Sequence, residues 1–126
     1  MPQWPAPAAV KALSTTRIGG CSQVPYDGFN LAEHVGDDQA AVAKNRYLLT
    51  EQLPAEPVWL KQVHSNRVVD AAAAQTNCVA DGSYTTQSKI VSVVMTADCL
   101  PVLACNRQGT GVATLHAGWR GLAEGI

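Results

Sequence analysis

Apolar and polar positions divide the chain into short extended runs punctuated by glycine, proline and asparagine, with one stretch of helical spacing. In "DDQAAVAKNRYLLTEQL", Val42, Leu48, Leu49 and Leu53 recur at helix-compatible intervals, and Asp37 or Asp38 stands where an N-cap is needed. This predicts the principal helix. Residues 10–16 read as a strand ending at Gly19-Gly20, followed by the turn-rich loop "VPYDGFNL". After Pro54 and Pro57, "VWLKQVHSNRVVDA" reads strand, turn, strand: Val58 and Leu60 alternate, and Val68 and Val69 follow the polar break at Ser65-Asn66.

"AQTNCVADGSYTTQ" reads as a loop with Asp81-Gly82 as its turn, and the β-branched run in "KIVSVVMTADC" as a strand buried on both faces. "LPVLACN" and "GVATLHAG" flank "NRQGTG", a hairpin signal. The pattern predicts a mixed α/β (α+β) domain, with central mixed β-sheets flanked by helices, over residues 1–126. "GWRGLAEGI" begins a helix that stops within about two turns, too short to bury a full face. The expectation is therefore a fragment of a longer chain.

With 47% hydrophobic and 15% charged residues, the chain has the composition of a well-buried globular fold. Nine Lys and Arg nearly balance ten Asp and Glu, with no basic run, which argues against nucleic acid or an anionic membrane as partner and for a small molecule. No apolar run approaches the roughly 18 residues that span a bilayer, and "MPQWPAPAAV" lacks the form of a signal peptide. The expected compartment is the cytoplasm, where the four cysteines would be free thiols or metal ligands rather than disulfides.

The candidate chemistry lies at the ends of the hairpin. If Asn106 closes on Gly111, Cys99 falls opposite Gly118 and diagonal to His116, on one face, with backbones about 7–8 Å apart. That spacing suits one metal ion, whereas a slip of one residue would separate the two side chains. Cys105, roughly 20 Å further along the strand, cannot share the ion and reads as a small core residue, as do Cys78 and Cys21. A third ligand must come from His64, at a strand end, or His34, in a loop. Two imidazoles and a thiolate form a zinc set that leaves one position open, and copper could compete for it.

"TTRIGG", "FNLAEHVGDD", "NRYLL", "KQVH", "ADG", "MTADCLPVL" and "HAGWRG" occur here in an order that resembles the YfiH family, also called the laccase-domain or multicopper polyphenol oxidase family, which includes the peptidoglycan editing factor. Its members are about twice as long, which implies that this chain is the N-terminal half of a layered α/β sandwich of the YfiH-like type. Ser65 stands where the family pattern usually has Gly. The resemblance implies that His64, Cys99 and His116 bind zinc, and that the activity is phosphorolysis of adenosine, inosine, guanosine and methylthioadenosine, with adenosine deamination. A copper-dependent polyphenol oxidase and a Cys99-dependent hydrolase of cell-wall peptide precursors are the alternatives it carries.

Deamination requires a carboxylate to move protons, a part open to Asp98 or Asp81; Asp98 could equally orient a histidine. Phosphorolysis requires cations for phosphate, and Arg17 and Arg120 are candidates, with Asn30 for ribose. Lys61 and Gln62 of "KQVH" complete the substrate contacts to be expected. Trp119 and Tyr84 are expected to pack.

Overall fold

Asp38 closes the N-terminus of the long helix α1 (Gln39–Thr50) by accepting a hydrogen bond from Ala41 N at 2.8 Å. The computed structural model describes residues 2–126, in which α1 is followed by β1 (Pro57–Val58), β2 (Leu60–Lys61), β3 (Val68–Asp70), β4 (Cys78–Val79), β5 (Gly82–Thr85), β6 (Val91–Ser92), β7 (Leu100–Cys105), β8 (Val112–Ala117) and α2 (Trp119–Glu124). The inner face of α1 buries Val42, Asn45 and Leu49, while Leu48 lies on the exposed side. Arg46, on the next turn, stacks its guanidinium 4.0 Å from the centre of the Trp59 ring and so joins the helix to the β1–β2 segment.

Asn45 organises the loop region before α1. Wholly buried, it accepts from Cys21 N at 2.9 Å and donates to Ser22 Oγ, Gly28 O and Asn30 O at 3.0, 3.2 and 2.9 Å. These bonds serve an irregular backbone that builds no ladder of its own. The expected strand over residues 10–16 does not form; the segment runs without regular pairing and is largely exposed.

Strands β3, β5, β8 and β7 form one mixed sheet in that order, with β3 parallel to β5 and the remaining pairs antiparallel. Two short parallel pairs, β1–β6 and β2–β4, complete the mixed α/β architecture. The β7–β8 hairpin has the expected register: Leu100 faces Ala117 and Cys105 faces Val112. Its turn is closed by Asn106, whose side-chain oxygen accepts from Thr110 N at 2.8 Å and Gly111 N at 3.2 Å.

Further expectations are corrected. The region read as a loop around Asp81-Gly82 contains β4 and the central strand β5. Gly82 serves close packing there rather than a turn, since a Cβ would come within 2.7 Å of Leu115 Cδ2 and 3.0 Å of Thr114 O. The run after Lys89 forms only the two-residue β6, half-buried rather than covered on both faces. Ser92 on β6 explains part of this, because its Oγ lies 2.6 Å from Ser83 Oγ and 2.7 Å from Thr114 Oγ1, a polar seam between β6 and the main sheet. Finally, Cys21, Cys78 and Cys105 are half-buried rather than core, Trp119 is 75% exposed, and Tyr84 is also exposed.

All four cysteines are free thiols. Among the described residues, no helix is long and apolar enough to cross a membrane. Replacing Asn45 with Ala would strand a backbone N–H and two carbonyls, and is expected to lower stability by about 3 kcal/mol, read as a fall in the urea midpoint. A loss below about 1 kcal/mol would show that water replaces these bonds freely.

Candidate metal centre

The hairpin register puts Cys99, one residue before β7, on the same face as His116 of β8. His64 comes from the segment after β2 and meets them there. The ligand atoms of His64, Cys99 and His116 all lie within 4.8 Å of one another. The two imidazoles meet edge to face, with centroids 4.8 Å apart and planes at 67°.

The β5–β8 register extends one residue beyond β5, bringing Asp81 opposite His116, and His116 N donates to Asp81 O at 2.7 Å. Their side chains therefore share a face, and His116 Nδ1 lies 2.8 Å from Asp81 Oδ1. The same carboxylate accepts from Val63 N (3.1 Å), His64 N (2.9 Å), Ser65 N (2.7 Å) and Ser65 Oγ (2.7 Å). The last three bonds, with that from Val63, fix a turn in which His64 has φ of 63°, a left-handed conformation costly for a residue with a Cβ.

Asp81 is fully buried. Burial raises its pKa and is the largest single influence, but the bonds from His116, the Ser65 hydroxyl, Ser65 N and Val63 N together outweigh it and hold the pKa at about 2, below the ordinary 3.8. The carboxylate is thus ionised at neutral pH. An ionised partner at Nδ1 makes that nitrogen the donor and leaves the Nε2 lone pair of His116 for a metal.

Gly118 completes the space. Its φ of −70° suits any residue, yet a Cβ there would lie 2.9 Å from Cys99 Sγ and 3.1 Å from His64 Cδ2. Glycine keeps open the volume between the ligands. Three convergent borderline-soft donors, one held in a fixed tautomer, around a space that a methyl group would invade, fit a zinc or copper ion.

The other candidates are placed differently. Asp98 is exposed beside Cys99, while the part of orienting a histidine falls to Asp81. Arg17 is exposed and paired with Asp27, through both the carboxylate at 3.0 Å and the backbone oxygen. Asn30 binds Asp37 Oδ2 at 2.8 Å and accepts from Ala32 N at 3.1 Å. Gln62 commits both ends of its amide to the Met95 backbone. Lys61 and Arg120 are exposed, the latter on α2 two residues past Gly118. His34 is exposed in a turn and outside the cluster. Sequence does not reveal the structural parts of Asp81 and Gly118, because "ADG" carries a strong local turn signal and the crowding at Gly118 comes from residues distant in sequence.

Among the described residues, a histidine–cysteine–histidine cluster at the open end of a β-hairpin gives this mixed α/β chain one candidate metal centre. A family profile described as "Multi-copper polyphenol oxidoreductase laccase" matches residues 11–126, and the chain belongs to this family. It is 53% identical over 125 residues to a purine nucleoside phosphorylase of Pseudomonas aeruginosa, covering 99% of this chain and 51% of the relative. It is 51% identical over 129 residues to purine nucleoside phosphorylase YfiH of Escherichia coli, covering 100% of this chain and 53% of the relative. The chain thus spans about half the length of these relatives. A crystal structure of a Neisseria meningitidis protein superposes with a TM-score of 0.90 at 52% identity, covering 98% of this chain and 51% of that one.

Because the folded-state pKa of Asp81 is depressed, its stabilising contribution is complete above the unfolded value of 3.8 and is lost as pH falls through about 2. The depression corresponds to about 2 kcal/mol at about 1.4 kcal/mol per unit. With chelator present throughout, wild-type protein is expected to lose its advantage over Asp81→Asn between about pH 4 and pH 2. A gap in unfolding free energy that stays constant over this window would contradict the assignment.

Proposed function

We propose that this chain carries the metal centre of a zinc-dependent purine nucleoside phosphorylase that also deaminates adenosine. The supporting observation is the convergence of His64, Cys99 and His116 in a chain about half identical to proteins named purine nucleoside phosphorylase. In this reading residues 1–126 act as one YfiH-like unit, equivalent to about half the length of those relatives.

Bound zinc would supply a Lewis acid beside the purine. The chain's own residues do the rest. Asp81 keeps His116 Nδ1 occupied and His64 in its turn, with every bond internal, so proton transfer falls to Asp98, the exposed carboxylate next to Cys99. Lys61, three residues before His64, and Arg120, four after His116, are exposed cations close in sequence to the ligands, and we assign phosphate to them, because a phosphate oxyanion needs flanking positive charge while the sugar–base bond breaks. Arg17 and Asn30 would contribute only by exchanging their present partners for substrate.

A thiol-hydrolase reading has its own support in the order Asp81, His116, Cys99, an acid orienting a base beside a nucleophile. His64 separates the two. As a third ligand it is indispensable to zinc chemistry, and as a bystander it is not. The polyphenol oxidase reading follows the family description, and a histidine–cysteine–histidine set also accepts copper. Four-electron reduction of dioxygen requires several coppers, however, and two of the chain's three histidines already belong to this one cluster.

The test is metal stoichiometry together with hypoxanthine release from inosine in phosphate. One zinc per chain and phosphate-dependent release are expected, with Cys99→Ser and His64→Ala losing both. Full hydrolytic activity in zinc-free His64→Ala would establish the thiol reading instead. Gly118→Ala is expected to remain folded and to bind zinc more than about ten-fold more weakly; unchanged affinity would show that the space beside Gly118 is not the metal's.

A further inference from the structure

Strands β1 and β6 run parallel, with Pro57 facing Val91 and Val58 facing Ser92. Continued, this register would bring Lys61 opposite Met95. The strands instead part company: from Leu60 onward the first pairs with β4, Leu60 facing Cys78 and Lys61 facing Val79. The half-buried residues 93–95 are left without a strand neighbour, although backbone groups at such depth need partners.

Gln62 provides them for Met95. Its Nε2 donates to Met95 O at 2.7 Å, and its Oε1 accepts from Met95 N at 2.7 Å. A primary amide offers a donor and an acceptor side by side, as a strand neighbour does, and neither a carboxylate nor a thioether can match both.

The consequence reaches the ligands. Cys99 is held on its C-terminal side by the β7–β8 ladder, which starts at Leu100 opposite Ala117, and this fixes its relation to His116. Among the described residues no shared ladder fixes its relation to His64, which is joined to His116 through Asp81. On the N-terminal side the clasp at Met95 is four residues away, and Gln62 itself is two residues from His64.

We infer that Gln62 is a positioning residue, whose amide replaces the abandoned β-pairing and sets the Cys99 segment against the His64 segment. Its geometric content stands alone; its consequence for metal binding rests on the zinc reading proposed above. The side chain is engaged within the protein rather than with substrate.

Two variants test this. Gln62→Met keeps the length and removes both bonds, whereas Gln62→Glu keeps an acceptor for Met95 N and loses the donor. In chelated protein, amide hydrogen exchange at Met95 is expected to be about ten-fold faster in Gln62→Met and intermediate in Gln62→Glu, with β7–β8 amides still protected. With cobalt as the probe, the thiolate-to-metal absorption band should weaken in Gln62→Met, and zinc affinity, measured by chelator competition, should fall about ten- to hundred-fold. Unchanged exchange at Met95 overturns the inference, as does an unchanged thiolate band in a metal-binding protein. If wild-type protein binds neither cobalt nor zinc, the zinc reading fails, and the exchange comparison still decides whether Gln62 holds this segment.

Discussion

One buried carboxylate ties together three separate parts of the chain. Asp81 immediately precedes the central strand β5, gathers the backbone of residues 63–65, and reaches across to the imidazole of β8. An ionised group without solvent exposure is sustainable only if its lone pairs are answered, and here five donors answer them. Removing any one of the partners weakens a turn or a ring orientation, so the requirements of folding and of the site coincide. The left-handed conformation of His64 persists because this carboxylate holds the turn around it.

Around that carboxylate, the sheet registers determine who meets whom. The β7–β8 register aligns Cys99 with the His116 face, and the β5–β8 register aligns Asp81 with the same face. Gly118 then matters for the atom it lacks, since its position borders both Cys99 and His64. The Cys99 sulfur and the two imidazoles therefore come from three segments whose mutual placement is set by hydrogen bonding rather than by any local sequence signal.

Legibility in the sequence follows from this division. The hairpin and its register were readable because Asn106 to Gly111 is a local turn signal that propagates along two regular strands, and α1 because Asp38 caps a helical pattern. The convergence of His64, Cys99 and His116 was likewise readable, from register for two members and from family resemblance for the choice of His64 over His34. What escaped was decided at long range. Asp81-Gly82 looks like a turn, yet Gly82 is needed where Leu115 crowds the central strand, and Asp81 is needed opposite His116. The apolar run around Val91 looked doubly buried because pattern alone cannot foresee that Ser92 would seek Ser83 and Thr114, or that the strand would lose its partner after two residues.

The central claim is a single mononuclear site with one sulfur and two imidazole ligands. X-ray absorption on the zinc-loaded protein tests it most directly. The account predicts one sulfur scatterer at about 2.3 Å and two imidazole nitrogens at about 2.0–2.1 Å, with one lighter ligand filling the remaining position. A spectrum with no sulfur in the first coordination sphere, or with a second metal nearby, would contradict it.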